Sequence, residues 1–149
     1  MPDNFEEYVE KLQKKIKKEA IKDHNEKIVN LFYNPKNWGK PPEKDITVFE
    51  ERRGGPKNYL LGFYLKIEKK NIIEANFITD GCGVMVATGS QLTILIKNKT
   101  INYAENLKAE DINDALLGIP KEEQYCTHFA IDILKDLIKK YKLNELKGI

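Results

Sequence analysis

Three consecutive β-type runs, at residues 45 to 79, are the feature of this sequence that most restricts its fold. The runs at 45–52, 58–70 and 71–79 alternate apolar with polar positions and are rich in β-branched and aromatic residues. Between the last two, the segment Glu68-Lys69-Lys70-Asn71 has the composition of a hairpin turn. Because strands joined by short turns pair as antiparallel neighbours, the sequence predicts a three-stranded antiparallel meander.

Helical patterns lie on both sides of these runs. A broken apolar stripe predicts a long N-terminal helix over about 4–33, ended by a proline-rich loop at 34–45. Later stripes predict helices at 83–97, with its apolar residues near one face, at 107–118, and from about 121 to 141 or beyond. The order of one helix, three strands and three helices predicts an α+β fold, with the sheet packed against helices.

Length and charge limit the class of protein further. A chain of 149 residues suits one domain, which we assign to residues 1–149. The net charge of +2 argues against a dedicated nucleic-acid-binding protein, which carries a strong basic excess. Apolar runs stay far below the roughly 20 residues that span a bilayer, so no membrane partner is expected. The N-terminal residues lack a signal-peptide core, and we expect a cytoplasmic protein.

The two cysteines, 44 positions apart, are the candidate reactive groups. Cys82 lies between Gly81 and Gly83, where a predicted strand ends and a helix begins, and the amide groups of a helix N-terminus lower the pKa of a thiol. Cys126 lies on the apolar stripe of the last helix. A structural disulfide is not expected in a reduced cytosol. Buried thiols, reactive thiols and metal ligands remain open, and so does an incidental cysteine in a glycine-rich turn.

Neither histidine is placed beside a cysteine by the sequence. His24 lies among charged residues of the first predicted helix, and we expect it to be solvated. His128 follows Cys126 by two positions, about 200° around a helix, so it should point away from that thiol. Two cysteines alone also fall short of the four ligands of a structural zinc site.

Three segments together resemble the NifU/IscU family of iron–sulfur cluster assembly scaffolds. They are FYNPKNWGKP at 32–41, IIEANFITDGCGVMVATGSQLTILIKNKT at 72–100, and LLGIPKEEQYCTHFAIDILKDLIKKY at 116–141. The likeness covers residues 27 to 141. It implies a small antiparallel sheet with helices on it. It also implies assembly of a [2Fe–2S] cluster, with sulfur from a cysteine desulfurase and transfer to recipient apo-proteins.

Two of the family's three cysteines match this chain, at Cys82 and Cys126. The family's first cysteine falls at about Pro56 or Lys57, and its companion aspartate at about Asn58 or Tyr59. The resemblance therefore implies that Cys82 and Cys126 bind a [2Fe–2S] cluster or iron, with zinc as an alternative metal.

Other groups must then complete the ligand shell. Tyr125 replaces the family's histidine, and Asp80, Glu51 or Tyr125 are candidate accessory ligands. Lys57 would add positive charge beside the thiolates. Alternatively, a homodimer could share one cluster between four thiolates.

We therefore predict an atypical scaffold or carrier that is not itself a catalyst. The alternative is a degenerate scaffold paralogue without a cluster, which binds or regulates a partner through the surfaces it retains, including the basic extension at residues 3 to 27. A persulfide relay or thiol-dependent transferase, with Cys82 or Cys126 as nucleophile, is a third hypothesis.

Overall fold

An antiparallel sheet covered by helices on one face forms the centre of the molecule. The computed structural model describes residues 24 to 148. Within them the elements are helix α1 (Glu26–Tyr33), strands β1 (Val48–Gly54), β2 (Tyr59–Glu68) and β3 (Asn71–Thr79), and helices α2 (Gly83–Ile96), α3 (Ile101–Glu105), α4 (Ala109–Ala115) and α5 (Tyr125–Lys147). Short 3-10 turns occur at Glu43–Asp45 and Lys121–Glu123. The predicted α+β class is confirmed.

The sheet has the order β1-β2-β3, and both pairs are antiparallel. Alternate residues of the strands point to the same face, and Leu61, Phe63, Leu65 and Phe77 are fully buried there beneath the helices. The predicted hairpin between β2 and β3 turns at Lys69 and Lys70, with φ angles of 51° and 65°. Two left-handed residues in succession match a hairpin turn that follows the twist of the strands.

Helix α1 is shorter than the helix predicted from residue 4 to residue 33. Residues 4 to 23 lie outside the described part of the chain, and at Asn25 the helix does not continue, because the backbone is extended (φ −69°, ψ 161°). The Asn25 side chain accepts a bond from the Ile28 amide and donates to the Leu116 and Gly118 carbonyls, the first at 2.8 Å. These bonds to a distant loop hold Asn25 as an N-cap, which the local apolar stripe could not indicate.

Helix α2 differs from its prediction in burial. The sequence predicts apolar residues near one face, whereas nearly the whole helix is buried between β3, α1, α4 and α5. Its polar residues are therefore inside as well. Ser90 Oγ accepts a bond from the Lys36 amide at 2.8 Å and donates to the Lys36 carbonyl at 3.2 Å. The bonds fasten the loop after α1 onto α2.

The ends of the later helices also differ from prediction. The short helix α3 is not predicted, and Thr100 caps it by accepting a bond from the Tyr103 amide at 3.0 Å. The last helix begins at Tyr125, four residues later than predicted, after the 3-10 turn at Lys121–Glu123. None of the helices within residues 24–148 combines the length and apolarity required to cross a bilayer.

Candidate functional site

The two cysteines meet at one end of the sheet, although they lie in separate elements. Cys82 occupies the turn between β3 and α2, and Cys126 lies in the first turn of α5. Cys126 is fully buried and Cys82 is half-buried. The two thiols are near enough for each to shift the pKa of the other. The sequence alone did not place them together; only the family resemblance implied it.

The turn that carries Cys82 is held by side-chain bonds to β1 and β2. The Asp80 carboxylate accepts a bond from the Leu60 amide at 2.7 Å and one from Arg53 Nη1 at 3.0 Å. Together these bonds lower the pKa of Asp80. The Gly81 amide donates to Thr79 Oγ1 at 3.0 Å. Gly81 is required for space, because a Cβ there would lie 2.9 Å from Met85 Cβ.

The surroundings of Cys82 favour its thiolate. A hydrogen bond from the Cys126 thiol is the largest cause, and the Met85 and Val84 amides at the start of α2 act in the same direction. Burial and the Glu123 carboxylate oppose them, and the pKa of Cys82 is lowered to about 6. The pKa of Cys126 is raised, because its thiol donates to Cys82 and is buried. The Cys82 thiol therefore ionises at a lower pH than the Cys126 thiol.

The first turn of α5 lies close to the β1–β2 turn because two glycines allow it. A Cβ at Gly54 would lie 2.6 Å from Phe129 Cε1, and one at Gly55 would lie 3.0 Å from the Tyr125 ring. Tyr125 lies beside Cys126, and its pKa is raised by burial and by the two sulfurs. Tyr125 therefore reaches the site as a neutral hydroxyl.

The other predicted accessory residues have different surroundings. The Asp80 carboxylate is bonded to Leu60 and Arg53, and a metal would have to displace those partners. Lys57 is exposed in the β1–β2 turn. Glu51 lies on the sheet face away from α5. On that face burial raises the pKa of Tyr64 to about 12, and the negative charge of Glu51 adds to the effect. All three assignments stay predictions.

Two residues that the sequence analysis did not assign to the site lie beside Cys82. His24 Nε2 is 2.9 Å from Glu123 Oε2, and both side chains line a cavity of about 220 Å³ together with Cys82. The expectation that His24 is solvated is wrong, because its side chain is only 25% exposed. His128 is exposed. Glu123 precedes Cys126 by three residues, and this helical spacing could have indicated that Glu123 lies near the site. No pattern in the sequence indicated that His24 does.

These groups do not form a ready-made metal centre. Among residues 24 to 148, no three histidine, cysteine, aspartate or glutamate side chains are grouped so that they could hold a metal ion. The site instead consists of two adjoining thiols at the edge of a cavity, with a histidine–glutamate pair across it.

The fold and the site describe a small α+β domain with a three-stranded antiparallel sheet and two free cysteines at one end of it. Residues 23–147 match the NifU-like N-terminal domain family, so this chain belongs to that family. The resemblance described from the sequence is thus confirmed.

Individual relatives agree with this family. The chain is 34% identical over 131 residues to the iron–sulfur cluster assembly scaffold protein IscU of Aquifex aeolicus, covering 83% of this chain and 78% of that protein. It is 30% identical over 138 residues to the iron–sulfur cluster assembly enzyme IscU of Drosophila melanogaster, covering 91% and 89%. The N-terminal NifU-like protein of Brucella abortus shares the fold, with a TM-score of 0.57, 16% identity, and coverage of 79% and 93%.

Proposed function

We propose that this protein is a scaffold or carrier in iron–sulfur cluster assembly, which binds iron and sulfide, or a [2Fe–2S] cluster, through Cys82 and Cys126. The observation that carries this proposal is the meeting of two thiols from distant segments at a partly exposed edge, where the surroundings of Cys82 lower its pKa. The names of the relatives from Aquifex aeolicus and Drosophila melanogaster support it.

The chemistry of the two sulfurs suits a cargo of iron. Thiolates are the ligands that iron–sulfur clusters use in proteins, and the lowered pKa of Cys82 favours that form. Cys126 must lose its proton when iron binds, so loading releases a proton. A site with only two thiolates per chain holds iron less firmly than four, which suits a protein that passes its cargo on.

The partners follow from the same proposal. A cysteine desulfurase would supply sulfur, and apo-proteins would receive the cluster; neither nucleic acid nor membrane is required. Zinc remains an alternative metal, because it also binds thiolates. A homodimer that shares one cluster between four thiolates and the cytoplasmic location both stay predictions.

Anaerobic reconstitution tests the proposal. The full chain is incubated with ferrous iron, cysteine and a cysteine desulfurase, and bound iron, bound sulfide and visible absorption are measured. We expect cluster absorption in the wild type and its loss in Cys82→Ala. A parallel reaction with inorganic sulfide in place of the desulfurase separates failure of the partner from failure of the site. If both thiols stay free and neither iron nor sulfide binds, the protein is not a scaffold.

A partner-binding module without a cluster is the second candidate. It is favoured by the β1–β2 turn, where the resemblance puts the family's first cysteine at about Pro56 or Lys57, and where the Tyr125 ring packs on Gly55. Such a module would capture a desulfurase equally well with Cys82→Ala and Cys126→Ala. Capture that requires the thiols excludes this candidate.

A further inference from the structure

We propose that residues 5–16 of this chain dock, as an amphipathic helix, into an apolar groove at the end of the molecule opposite the two cysteines. The inference is independent of the proposed function. It assigns an occupant to a surface that the cysteine site does not use, and that occupant is a segment of the same chain.

Two adjoining cavities form this groove, which we call the distal groove. Their volumes are about 830 Å³ and 560 Å³, and both are lined by Thr100 and Asn102. The larger cavity lies between the start of α3, the β2–β3 turn at Lys70 and the last turns of α5. The apolar side chains in the walls belong to Ile101, Tyr141 and Leu146 in the larger cavity, and to Leu95 and Leu107 in the smaller one.

Leu146 marks the larger cavity as a docking surface. Its side chain is 70% exposed, although it borders the same cavity as the buried side chains of Ile101 and Tyr141. A leucine at the rim of an apolar cavity gains free energy when an apolar partner removes it from water. Leu143 is also exposed on α5, but it lies outside the lining of both cavities. The two leucines therefore differ in position rather than in kind.

The sequence before residue 24, which lies outside the described part of the chain, supplies an apolar face that matches the distal groove. Its large apolar side chains recur at i, i+3, i+4, i+7 and i+11, which places them on one face of a helix: Phe5, Tyr8, Val9, Leu12 and Ile16. A helix of this length is only marginally stable in water unless its apolar face packs on another surface. The pattern therefore requires a partner, and the groove offers one within the same chain.

The segment has the length needed to reach the distal groove. His24 Nε2 is 2.9 Å from Glu123 Oε2, and α5 begins at Tyr125, so the segment leaves the described structure beside the start of α5. From Tyr125 to Tyr141, which lines the groove, α5 rises by about 24 Å at about 1.5 Å per residue. A helix over residues 5–23 would extend about 28 Å by the same rise. Its apolar part can therefore cover the groove.

Helix α4 provides the path between these two points. Asn25 donates to the Leu116 and Gly118 carbonyls, just after the end of α4. Near the other end of α4, Asp111 lines the smaller cavity. A segment that follows α4 away from Asn25 therefore meets the smaller cavity first and the larger cavity second.

The charges of the segment favour the same direction. Residues 3–10 contain four carboxylates and no lysine or arginine, whereas residues 11–22 contain six lysines and one carboxylate. Beside the larger cavity, three lysines are exposed: Lys69, Lys70 and Lys99. Along α4, three carboxylates are exposed: Glu110, Asp111 and Asp114. The acidic part then lies against lysines and the basic part against carboxylates, and such complementarity sets orientation more than affinity.

Hydrogen exchange of the full chain, followed by mass spectrometry, is the first test. We expect the amides of residues 5–16 to be protected in the wild type and to exchange at least about tenfold faster in Leu146→Asp. The reason is that the variant removes the apolar contact of a leucine and places a charge where the helix docks. Urea unfolding checks that the variant keeps its fold, which the exposure of Leu146 favours.

Leu143→Asp is the matched control, because it makes the same change at an exposed leucine of the same helix outside the groove. It should leave the protection of residues 5–16 as in the wild type. Absence of protection in the wild type, or equal exchange in the two variants, overturns the inference.

Photo-cross-linking gives the position and the direction of the docked segment. With p-benzoylphenylalanine in place of Tyr8, we expect cross-links to the last turns of α5, and with it in place of Ile16, cross-links near α3 and α4. The same group in place of Glu7, on the opposite side of the helix from the apolar face, should give few cross-links to the groove.

Mixing ¹⁴N-labelled and ¹⁵N-labelled chains before irradiation distinguishes cross-links within one chain from those between two. Cross-links within one chain, in the stated order, support the inference. Cross-links between chains would mean that a second copy covers the groove, and the reverse order would contradict the proposed path; either result overturns the inference.

Discussion

The Cys82 sulfur combines partial exposure with hydrogen bonds that stabilise its negative charge. The Cys126 thiol and two amides of α2 act on it from the protein side, while the other side opens onto the cavity. Cys126, by contrast, is enclosed and holds its proton. Two thiols in contact thus differ in both access and charge, which makes them distinguishable by chemistry.

Alkylation of the apo-protein should therefore be selective and dependent on pH. We expect iodoacetamide to label Cys82 with a rate that rises through about pH 6 and levels off above it, because the thiolate is the reactive form and its pKa is lowered to about 6 from 9.0. Cys126 should stay unlabelled near neutral pH. Peptide mass spectrometry after timed quenching measures both rates.

Cys126→Ala provides the control for this prediction. It removes the main donor to the Cys82 thiolate, so the midpoint of labelling should move to higher pH. An unchanged midpoint would show that the Cys126 thiol does not set the acidity of Cys82.

Asp80 allows a second prediction at this scale. Asp80→Ala removes the acceptor of the Leu60 amide and the partner of Arg53, so the turn that positions Cys82 loses its side-chain bond from Asp80 to β2. We expect faster hydrogen exchange at the Leu60 amide, measured by nuclear magnetic resonance. Asp80→Asn keeps an acceptor and should exchange more slowly than Asp80→Ala; identical exchange in both would contradict the role of the bond.

The side chains at the site show where sequence reasoning reaches its limit. Cys82 was recognisable because the glycines beside it and the switch from strand to helix are local signals. The pairing of His24 with Glu123 joins residues 99 positions apart and leaves no trace in any periodicity. The sequence therefore predicted the thiols through a family pattern, and missed the pair that only the folded chain brings beside them.

At the scale of elements, α2 packs closely against β3. A Cβ at Gly89 would overlap the Phe77 ring, so glycine lets the helix approach the sheet. We expect Gly89→Ala to lower the free energy of unfolding by about 1–3 kcal/mol through overpacking, even though alanine favours the helix by about 1 kcal/mol. Urea denaturation measures the change.

A double-mutant cycle with Phe77→Leu identifies the cause. If the ring is what the new methyl group meets, Gly89→Ala should destabilise the Phe77→Leu protein less than the wild type. Stabilisation by Gly89→Ala alone would mean that the helix shifts at no cost and that the contact does not matter.

The elements were predictable to different degrees for a physical reason. The strands and α5 follow periodicities carried by their own residues, and they were found with small errors at their ends. The start of α1 at Glu26 depends on bonds from Asn25 to the loop before Ile119. The burial of α2 depends on four neighbouring elements. Properties set by distant neighbours do not appear in a local pattern.

At the scale of the whole molecule, stability comes from the buried faces of the helices rather than from the charged surface. We expect Leu134→Ala, in the fully buried face of α5, to lower the free energy of unfolding by about 2–5 kcal/mol. Lys142→Ala, also in α5, breaks an exposed ion pair with Glu105 of α3 and should cost less than about 1 kcal/mol. Urea unfolding of both variants compares them directly, and a larger loss in Lys142→Ala would contradict this view.

The two cysteines have one further consequence, because they belong to different structural elements. Cys82 moves with the β3–α2 turn and Cys126 with α5, so any opening that lifts α5 from β1 separates the sulfurs. A ligand held by both would stabilise the docked helix in proportion to its affinity, by linkage. Undocking of α5 and loss of affinity for the ligand are then coupled in one equilibrium. A recipient or partner that binds the first turn of α5 in its undocked position would therefore promote release of the ligand without contacting the ligand.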